Sequence, residues 1–349
     1  MKRLATTLVL IASVAFCMAC SSDDSPVYEF PDDSGIVTPK PEPEPEPDPE
    51  PVLNYPKGMT VEEVKVEHKG GKSTIAYLTI LDFNANPKLK FNPTHIKPSK
   101  VPTSVFSSFG NLGRGRAYVA TNGGYFYNGE SLSLCVTDGE VKSIAAEMAY
   151  PKNAEGKQVV AYPVRAALGQ MADGSFEATW VYCVADDGKK PYSFPSPLDN
   201  DEEHFQYMPN APTSKTKGAE LWEPRQAIGG GPMLVYEGKN VAMENYYKEV
   251  LHGGGTQGAL RVPRTAVGAK KDGSKMIVLV CDGRGAGGSA GLTISEVADL
   301  MIERGMDVAV NLDGGGSSVI VGYDGKVMNH PSDGKQRSVP TAVVISCEE

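Results

Sequence analysis

The chain has 349 residues, of which 22% are charged, and a formal net charge of −9. Residues 1–20 contribute +2 and residues 21–55, with ten acids and one Lys, contribute −9, which leaves −2 for residues 56–349. A near-neutral body has no basic footprint for nucleic acid, and residues 56–349 suffice for one large domain or two tightly joined halves.

The chain opens on an export signal. Lys2 and Arg3 precede a mostly apolar run, Leu4 to Phe16, that is too short to span a bilayer comfortably, and Ala19 stands before Cys20. A Cys at that point resembles a bacterial lipobox, here with Cys17 and Met18 in the preceding positions. The expected product starts at Cys20 and carries lipid on its sulfur, which places it at the bacterial cell envelope. Residues 20–55 read as an acidic tether, with proline at every second position from Pro39 to Pro51. Such a run favours extended polyproline II, and its acids stiffen it by repulsion. No later stretch reaches the roughly 18 apolar residues of a spanning helix, so the lipid is the one expected membrane contact. Residues 56–100 read as N-terminal strands without a recognisable motif, and residues 101–349 as the main domain.

Strand-like runs in the body are punctuated by hairpin turns at Asp138-Gly139, Asp173-Gly174, Glu237-Gly238, Asp272-Gly273 and Asp324-Gly325. Two of them belong to a repeat. Arg165-Ala-Ala-Leu-Gly169 leads to Asp173-Gly174-Ser175, and Arg264-Thr-Ala-Val-Gly268 leads to Asp272-Gly273-Ser274, 99 residues later. A glycine loop precedes each, Asn122-Gly-Gly-Tyr125 and Gly229-Gly-Gly-Pro232. The pattern predicts a duplicated β-hairpin unit. Cys135, Cys183, Cys281 and Cys347 include no CxxC pair, which argues against a zinc cluster. Cys281 ends an apolar run and reads as a buried thiol.

Met276 to Cys281 is a continuous apolar run, as in a strand buried on both faces. Thr293-Ile-Ser-Glu296 has the form of a capping box opening a helix that Gly305 stops, with Val297, Leu300 and Met301 on one face. Val308 to Leu312 is a second apolar strand. Strand, helix and strand at this length form a βαβ crossover, with parallel strands in one sheet. Their carboxyl ends, Asp282 and Asp313, then share an edge. Antiparallel pairing about Asp272-Gly273 sets Arg264 opposite Cys281, at that same edge. The expected fold is α+β, a β-rich domain with duplicated hairpin units, a mixed sheet and at least one βαβ crossover.

Asn311-Leu-Asp-Gly-Gly-Gly-Ser-Ser318 is the strongest local signal for chemistry. An acid leaving a buried strand before three glycines lets backbone N–H groups approach a ligand. Asn122 stands in a similar setting, with Tyr125 and Phe126 following as core aromatics or a stacking floor. Asp282-Gly-Arg284-Gly285 has the look of a phosphate cradle without a P-loop lysine. Glu296 reads as a helix cap, and Arg337 as a surface arginine within reach of an anion. No histidine has a second histidine or a cysteine two to four residues on, so no metal is expected, and no cofactor is implied.

Taken in order, Asn122-Gly-Gly-Tyr-Phe126, Gly229-Gly-Gly-Pro232, Arg264-Thr-Ala-Val-Gly268, Asp282-Gly, Gly291-Leu-Thr-Ile-Ser-Glu296, Asn311 to Ser318, and Pro331-Ser-Asp333 with Arg337 resemble the phosphodiester glycosidase family. The set covers roughly residues 100–346 and is specific as an ordered set. The resemblance implies hydrolysis of a sugar–phosphate bond at the anomeric carbon. It implies catalytic roles for Asp313, Asp282 and Arg264. Asn122, Gly123, Gly124, Gly230, Gly231, Thr265, Gly314, Gly315, Gly316, Ser317, Ser318 and Arg337 would hold the glycosyl-phosphate substrate. A glycan-binding surface lipoprotein without turnover is the alternative, and hydrolysis on the phosphorus side a weaker third. Neither the sugar nor the oligomeric state follows from these residues.

Overall fold

The computed structural model describes residues 55–252 and 257–348. The expected export signal, Cys20 and all but the last residue of the expected acidic tether lie outside the described residues. The chain enters through β1 (Met59–Glu67), β2 (Ser73–Asp82) and β3 (Leu89–Lys100), then α1 (Pro102–Phe109) and β4 (Arg116–Asn122). Short hairpins follow: β5 (Phe126–Tyr127) with β6 (Glu130–Ser131), and β7 (Cys135–Thr137) with β8 (Glu140–Ser143). Next come β9 (Arg165–Gln170), β10 (Phe176–Val184), β11 (Lys190–Phe194), β12 (Glu220–Leu221) and β13 (Gln226–Gly229). The segment β14 (Met233–Tyr236), β15 (Lys239–Asn240) and α2 (Ala242–Lys248) leads to β16 (Arg264–Ala269) and β17 (Lys275–Cys281). The last elements are α3 (Ile294–Glu303), β18 (Val308–Asn311), β19 (Ile320–Val321) and β20 (Val339–Cys347).

These strands form two seven-stranded sheets, a four-stranded sheet and the small β5–β6 hairpin. The first sheet has the order β1-β2-β17-β16-β18-β14-β15, the second β12-β11-β10-β9-β13-β7-β8 and the third β19-β4-β20-β3. The strands of residues 56–100 are therefore woven into the body: β2 pairs with β17, and β3 with β20. The largest apolar cluster draws on all three sheets, with Val278 and Met233 from the first, Leu168 and Trp180 from the second and Phe91 and Val343 from the third.

Strand β17 shows why its sequence is apolar throughout. Met276, Val278 and Val280 face that shared core, while Ile277, Leu279 and Cys281 face α2 and α3 on the other side. Side chains alternate across a strand, so a strand covered on both faces has no polar phase. Helix α3 carries the capping box, with Thr293 Oγ1 accepting from the Glu296 amide at 3.1 Å and Glu296 accepting from the Thr293 amide at 2.9 Å. Ile294, Val297, Ala298 and Met301 are its buried face, and Leu300 is only partly covered. Among the described residues no helix is long and apolar enough to cross a membrane.

The crossover differs from expectation in one respect. β17 and β18 run the same way in one sheet, but β16 lies between them and pairs antiparallel with both. The expected mixed sheet is not formed, and every ladder among the described strands is antiparallel. The reason is occupancy: β16 takes one edge of β17 and β2 takes the other, leaving no edge for a parallel neighbour.

The two related segments are both antiparallel hairpins, β9–β10 in the second sheet and β16–β17 in the first. Arg264 faces Cys281, as the turn position requires, while Arg165 faces Val181, so the turns differ in length by one residue. Asp173 and Asp272 each accept from the amide two residues on at 2.9 Å, giving both tips the same side-chain-stabilised turn. The tips touch, with the Phe176 amide donating to the Lys271 carbonyl at 3.1 Å. Cys135, Cys183, Cys281 and Cys347 are buried free thiols, Cys281 as its run suggested.

Candidate active site

Asp313 leaves the end of β18 and enters the glycine loop at the floor of a cleft of roughly 610 Å³. Its backbone is pinned on both sides: the Asp313 amide donates to the Gly123 carbonyl at 3.1 Å, and Asn122 Nδ2 donates to the Asp313 carbonyl at 2.6 Å. The carboxylate accepts from the Gly314 amide at 3.0 Å. Burial pushes its pKa up from 3.8 to about 6, against the opposing pull of the Ser317 hydroxyl, the Gly314 amide and the Arg337 charge. Asn311, which lines the cleft, has its Oδ1 buried without a hydrogen-bond partner among the described residues. Polar atoms left unpaired beside a cleft are where a ligand finds partners.

Two guanidinium groups approach this loop. Gly315 sits at φ +59°, and a Cβ there would lie 3.1 Å from Arg284 Nη2. A Cβ on Gly316 would lie 2.2 Å from Asp333 Oδ2 and 2.5 Å from Arg337 Nη2. The glycines are thus required by the arginines as much as by any ligand. Arg337 is held by Asp333, with Nε donating at 2.6 Å. Arg284 is exposed, and no carboxylate among the described residues pairs with it. It takes a left-handed backbone conformation at φ +57°, which is uncommon for a long side chain and marks a constrained position.

The other residues named from sequence are placed differently. Arg264 lines the cleft but is almost fully buried, and its Nε and Nη2 donate to the carbonyls of Leu292, Gln257 and Leu260 at 2.9, 2.6 and 2.9 Å. Desolvation lowers its pKa. Its repeat counterpart Arg165 acts alike, donating to the carbonyls of Glu249 and Val250 at 3.2 and 3.1 Å and pairing with Glu147. The repeated arginine therefore staples irregular backbone at the start of a hairpin in both places. Asp282 is fully buried and away from the cleft. It accepts from Asn329 Nδ2 at 3.1 Å and the His330 amide at 2.8 Å, and its other oxygen meets His330 Nδ1 at 3.0 Å.

Asn122 is buried too. Its Oδ1 accepts from Thr265 Oγ1 at 2.8 Å and the Val319 amide at 3.3 Å, and Thr265 also reaches Ser318 Oγ at 3.3 Å. Asn122, Thr265 and Ser318 form one interior clamp that ties β4 and β16 to the glycine loop. Gly123, Gly124, Gly230 and Gly231 permit close chain packing: added Cβ atoms would lie 2.5 Å from Thr341 Oγ1, 2.3 Å from the Gly229 carbonyl, 2.2 Å from the Asn311 carbonyl and 2.5 Å from Glu249 Oε2. The structure therefore collects Asp313, Gly314, Gly315, Gly316, Arg264 and Arg337 around the cleft, and sets Asp282 and Asn122 behind it.

Residues 115–346 match the family model of the phosphodiester glycosidases. The chain belongs to the phosphodiester glycosidase family. The chain is similar in fold to the catalytic domain of the zebrafish N-acetylglucosamine-1-phosphodiester alpha-N-acetylglucosaminidase, solved in a form auto-inhibited by its pro-peptide. That likeness has a TM-score of 0.54 at 18% identity over 84% of each chain. A hypothetical protein from Synechocystis aligns at a TM-score of 0.50 and 17% identity, over 82% of this chain and 62% of that one. The SPbeta prophage-derived uncharacterized protein YomE of Bacillus subtilis (strain 168) is 40% identical over 84 residues, a match spanning 24% of this chain and only 13% of that protein.

Two cleft residues escaped the reading of single motifs. Arg284 enters the sequence reading only through the cradle-like Asp282-Gly-Arg284-Gly285 loop, with no role assigned to its own side chain. Asn311 Nδ2 donates to Tyr125 Oη at 3.0 Å and the Gly231 carbonyl at 3.0 Å, contacts between segments far apart in sequence. Outside the cleft, the exposed Glu203 and His204 and the half-buried Asp201 bring one ligand atom each within 4.8 Å of one another. A scan only towards the C-terminal side of each histidine passes over that group, and no metal is assigned to it.

Proposed function

We propose that the protein hydrolyses the bond between the anomeric carbon of a sugar and a phosphodiester oxygen, with an α-N-acetylglucosaminyl phosphodiester as the model substrate. The observation that carries this reading is the half-buried Asp313 carboxylate, its pKa raised by desolvation, on a loop approached by two guanidiniums, Arg284 and Arg337. Guanidinium forks match phosphate oxygens and stabilise the charge that gathers on a departing phosphate. Such a leaving group departs with less help from a general acid than an alcohol does, so one ionised carboxylate near the anomeric carbon has a defined task. Water supplies the oxygen that bonds to the anomeric carbon as the carbon–oxygen bond to phosphate breaks. Asp313 takes up the proton and passes it to solvent, and the products are the free sugar and a phosphate monoester.

Asp282, placed behind the cleft, serves this reading as an organiser of the loop that carries Arg284. Arg264 serves as a scaffold that shapes the wall. The sequence of residues 1–55 supports display of this hydrolase at the cell envelope through lipid on Cys20. Replacement of Cys20 by Ala should then release it from the membrane fraction.

The test is a screen of glycosyl-phosphate diesters in water enriched in oxygen-18. Label in the sugar supports cleavage at the anomeric carbon, and label in the phosphate overturns it. The Asp313→Asn variant should lose turnover by about 10³-fold; undiminished turnover would remove Asp313 from the mechanism.

A further inference from the structure

The cleft has a rim that the reaction does not use. Tyr127 and Tyr150 line the same cleft as Asp313, and they are 69% and 54% exposed. Met148 joins them at 47% exposure, and its Sδ accepts from Tyr150 Oη at 3.7 Å. Neither tyrosine ring contacts another aromatic ring among the described residues. Exposed aromatic rings gathered at the mouth of a cleft mark a surface kept for a ligand.

Both rings are presented on pinned segments. Tyr127 lies on the β5–β6 hairpin, closed by Asn128 and Gly129 at φ +48° and +80°. Phe126, its neighbour on the opposite face, packs into the cluster beneath, which leaves Tyr127 pointing outward. Ser99 Oγ donates to the Gly129 carbonyl at 2.9 Å and Lys97 pairs with Glu130 at 3.1 Å, holding the hairpin tip. Tyr150 sits on an arm closed by reciprocal hydrogen bonds between Ala149 and Ala161, each 2.9 Å. A ring held this way offers contact area at little further cost in conformational entropy.

We infer that Tyr127 and Tyr150 form a saccharide-stacking subsite, so that the substrate class is a glycan extending beyond the cleaved glycosyl phosphate. This rests on the glycosidase reading, since that reading places a sugar in the cleft and chain continuity places its neighbour at the rim. A pyranose presents an apolar C–H face to a tyrosine ring while its edge hydroxyls take partners from polar groups. The phenol hydroxyls and the Glu147 carboxylate on the same wall are such partners. A phosphate-rich ligand is favoured instead near Arg284 and Arg337, so the two chemistries of a phosphorylated glycan have separate places.

The experiment uses the full chain and two readouts. Binding of chito-, cello-, malto- and mannotetraose at millimolar concentration is followed by calorimetry for wild type and for Tyr127→Ala/Tyr150→Ala. At least one tetrasaccharide should bind, with about tenfold weaker affinity in the double Ala variant and affinity retained in Tyr127→Phe/Tyr150→Phe. Hydrolysis of a monosaccharide phosphodiester should be the same in all three proteins. No binding by any tetrasaccharide, or binding indifferent to the Ala replacements, overturns the subsite. So does ring-dependent binding of uridine monophosphate without any saccharide. Ring-dependent tetrasaccharide binding in a protein that hydrolyses no diester would sink the glycosidase reading and leave the subsite standing.

Discussion

Asp313 shows how one side chain trades stability for chemistry. Its carboxyl titrates near 3.8 when unfolded and at about 6 in the fold, because burial disfavours the charge. A raised pKa means that the fold is favoured while the acid is protonated and loses that advantage as pH rises from about 4 to about 6. At pH 7.5 Asp313→Asn should therefore stabilise the fold by about 1–3 kcal/mol in denaturant titrations while lowering turnover by about 10³-fold. A variant less stable than wild type there would contradict the assignment. The proposed mechanism uses the ionised carboxylate, so kcat/KM should rise with pH through about 6. Arg337 pulls that pKa down, so Arg337→Ala should move the limb to higher pH, visible in a pH–rate profile. For Arg284, replacement by Lys keeps the charge but loses the fork, and KM should rise by roughly tenfold with the fold intact.

At the scale of elements, the site depends on how a helix and a hairpin deliver two strand ends to one place. Helix α3 links β17 to β18, and its start is held by the Thr293–Glu296 box. Thr293→Ala should cost about 1 kcal/mol in thermal or chemical unfolding without changing KM, since the helix packs on the far face of the sheet. The glycine loop is less forgiving. Gly315 occupies the left-handed region with Arg284 close by, so Gly315→Val should impair phosphate-dependent binding more than it lowers stability, measured as KM against melting temperature. The crossover and the Arg264–Cys281 register were legible because hairpin register follows from turn position, and apolar runs announce doubly covered strands. The absence of a parallel ladder was not, because which strand claims an edge is settled by competition among segments distant in sequence.

Across the whole molecule, the first two sheets are locked together by one acid. Glu249 is fully buried and accepts from the Ala166 amide at 3.0 Å, Trp180 Nε1 at 2.9 Å and the Met233 amide at 2.8 Å. These donors belong to β9, β10 and β14, so a single side chain bridges the second sheet and the first. Burial raises its pKa from 4.5 to about 7, so its contribution weakens as pH climbs from about 4.5 towards 7. Glu249→Ala strands three buried donors and should lower stability by about 3 kcal/mol or more, seen as a lower denaturation midpoint. A loss confined to activity would show that the bridge is not structural. The sequence offers no sign of this bridge, since Glu249 follows a short helix and reads as an ordinary surface acid.

What the amino-acid sequence determined by itself was local and periodic. The α3 cap, the hairpin turns, the doubly buried β17 and the Asp313 glycine loop follow from residue types at short spacing, where physics acts within a few residues, and the family resemblance from the order of such motifs along the chain. What only the tertiary structure decided was which side chains face the cleft. Asn122 and Asp282 stand in glycine-rich settings like that of Asp313, yet the structure buries both and gives them hydrogen-bond partners from remote segments. Arg284, which the sequence shows only as a member of a cradle-like loop, lines the cleft without an acidic partner among the described residues. A polar group's role is set by whether the fold satisfies it, and that is known only once distant segments have met.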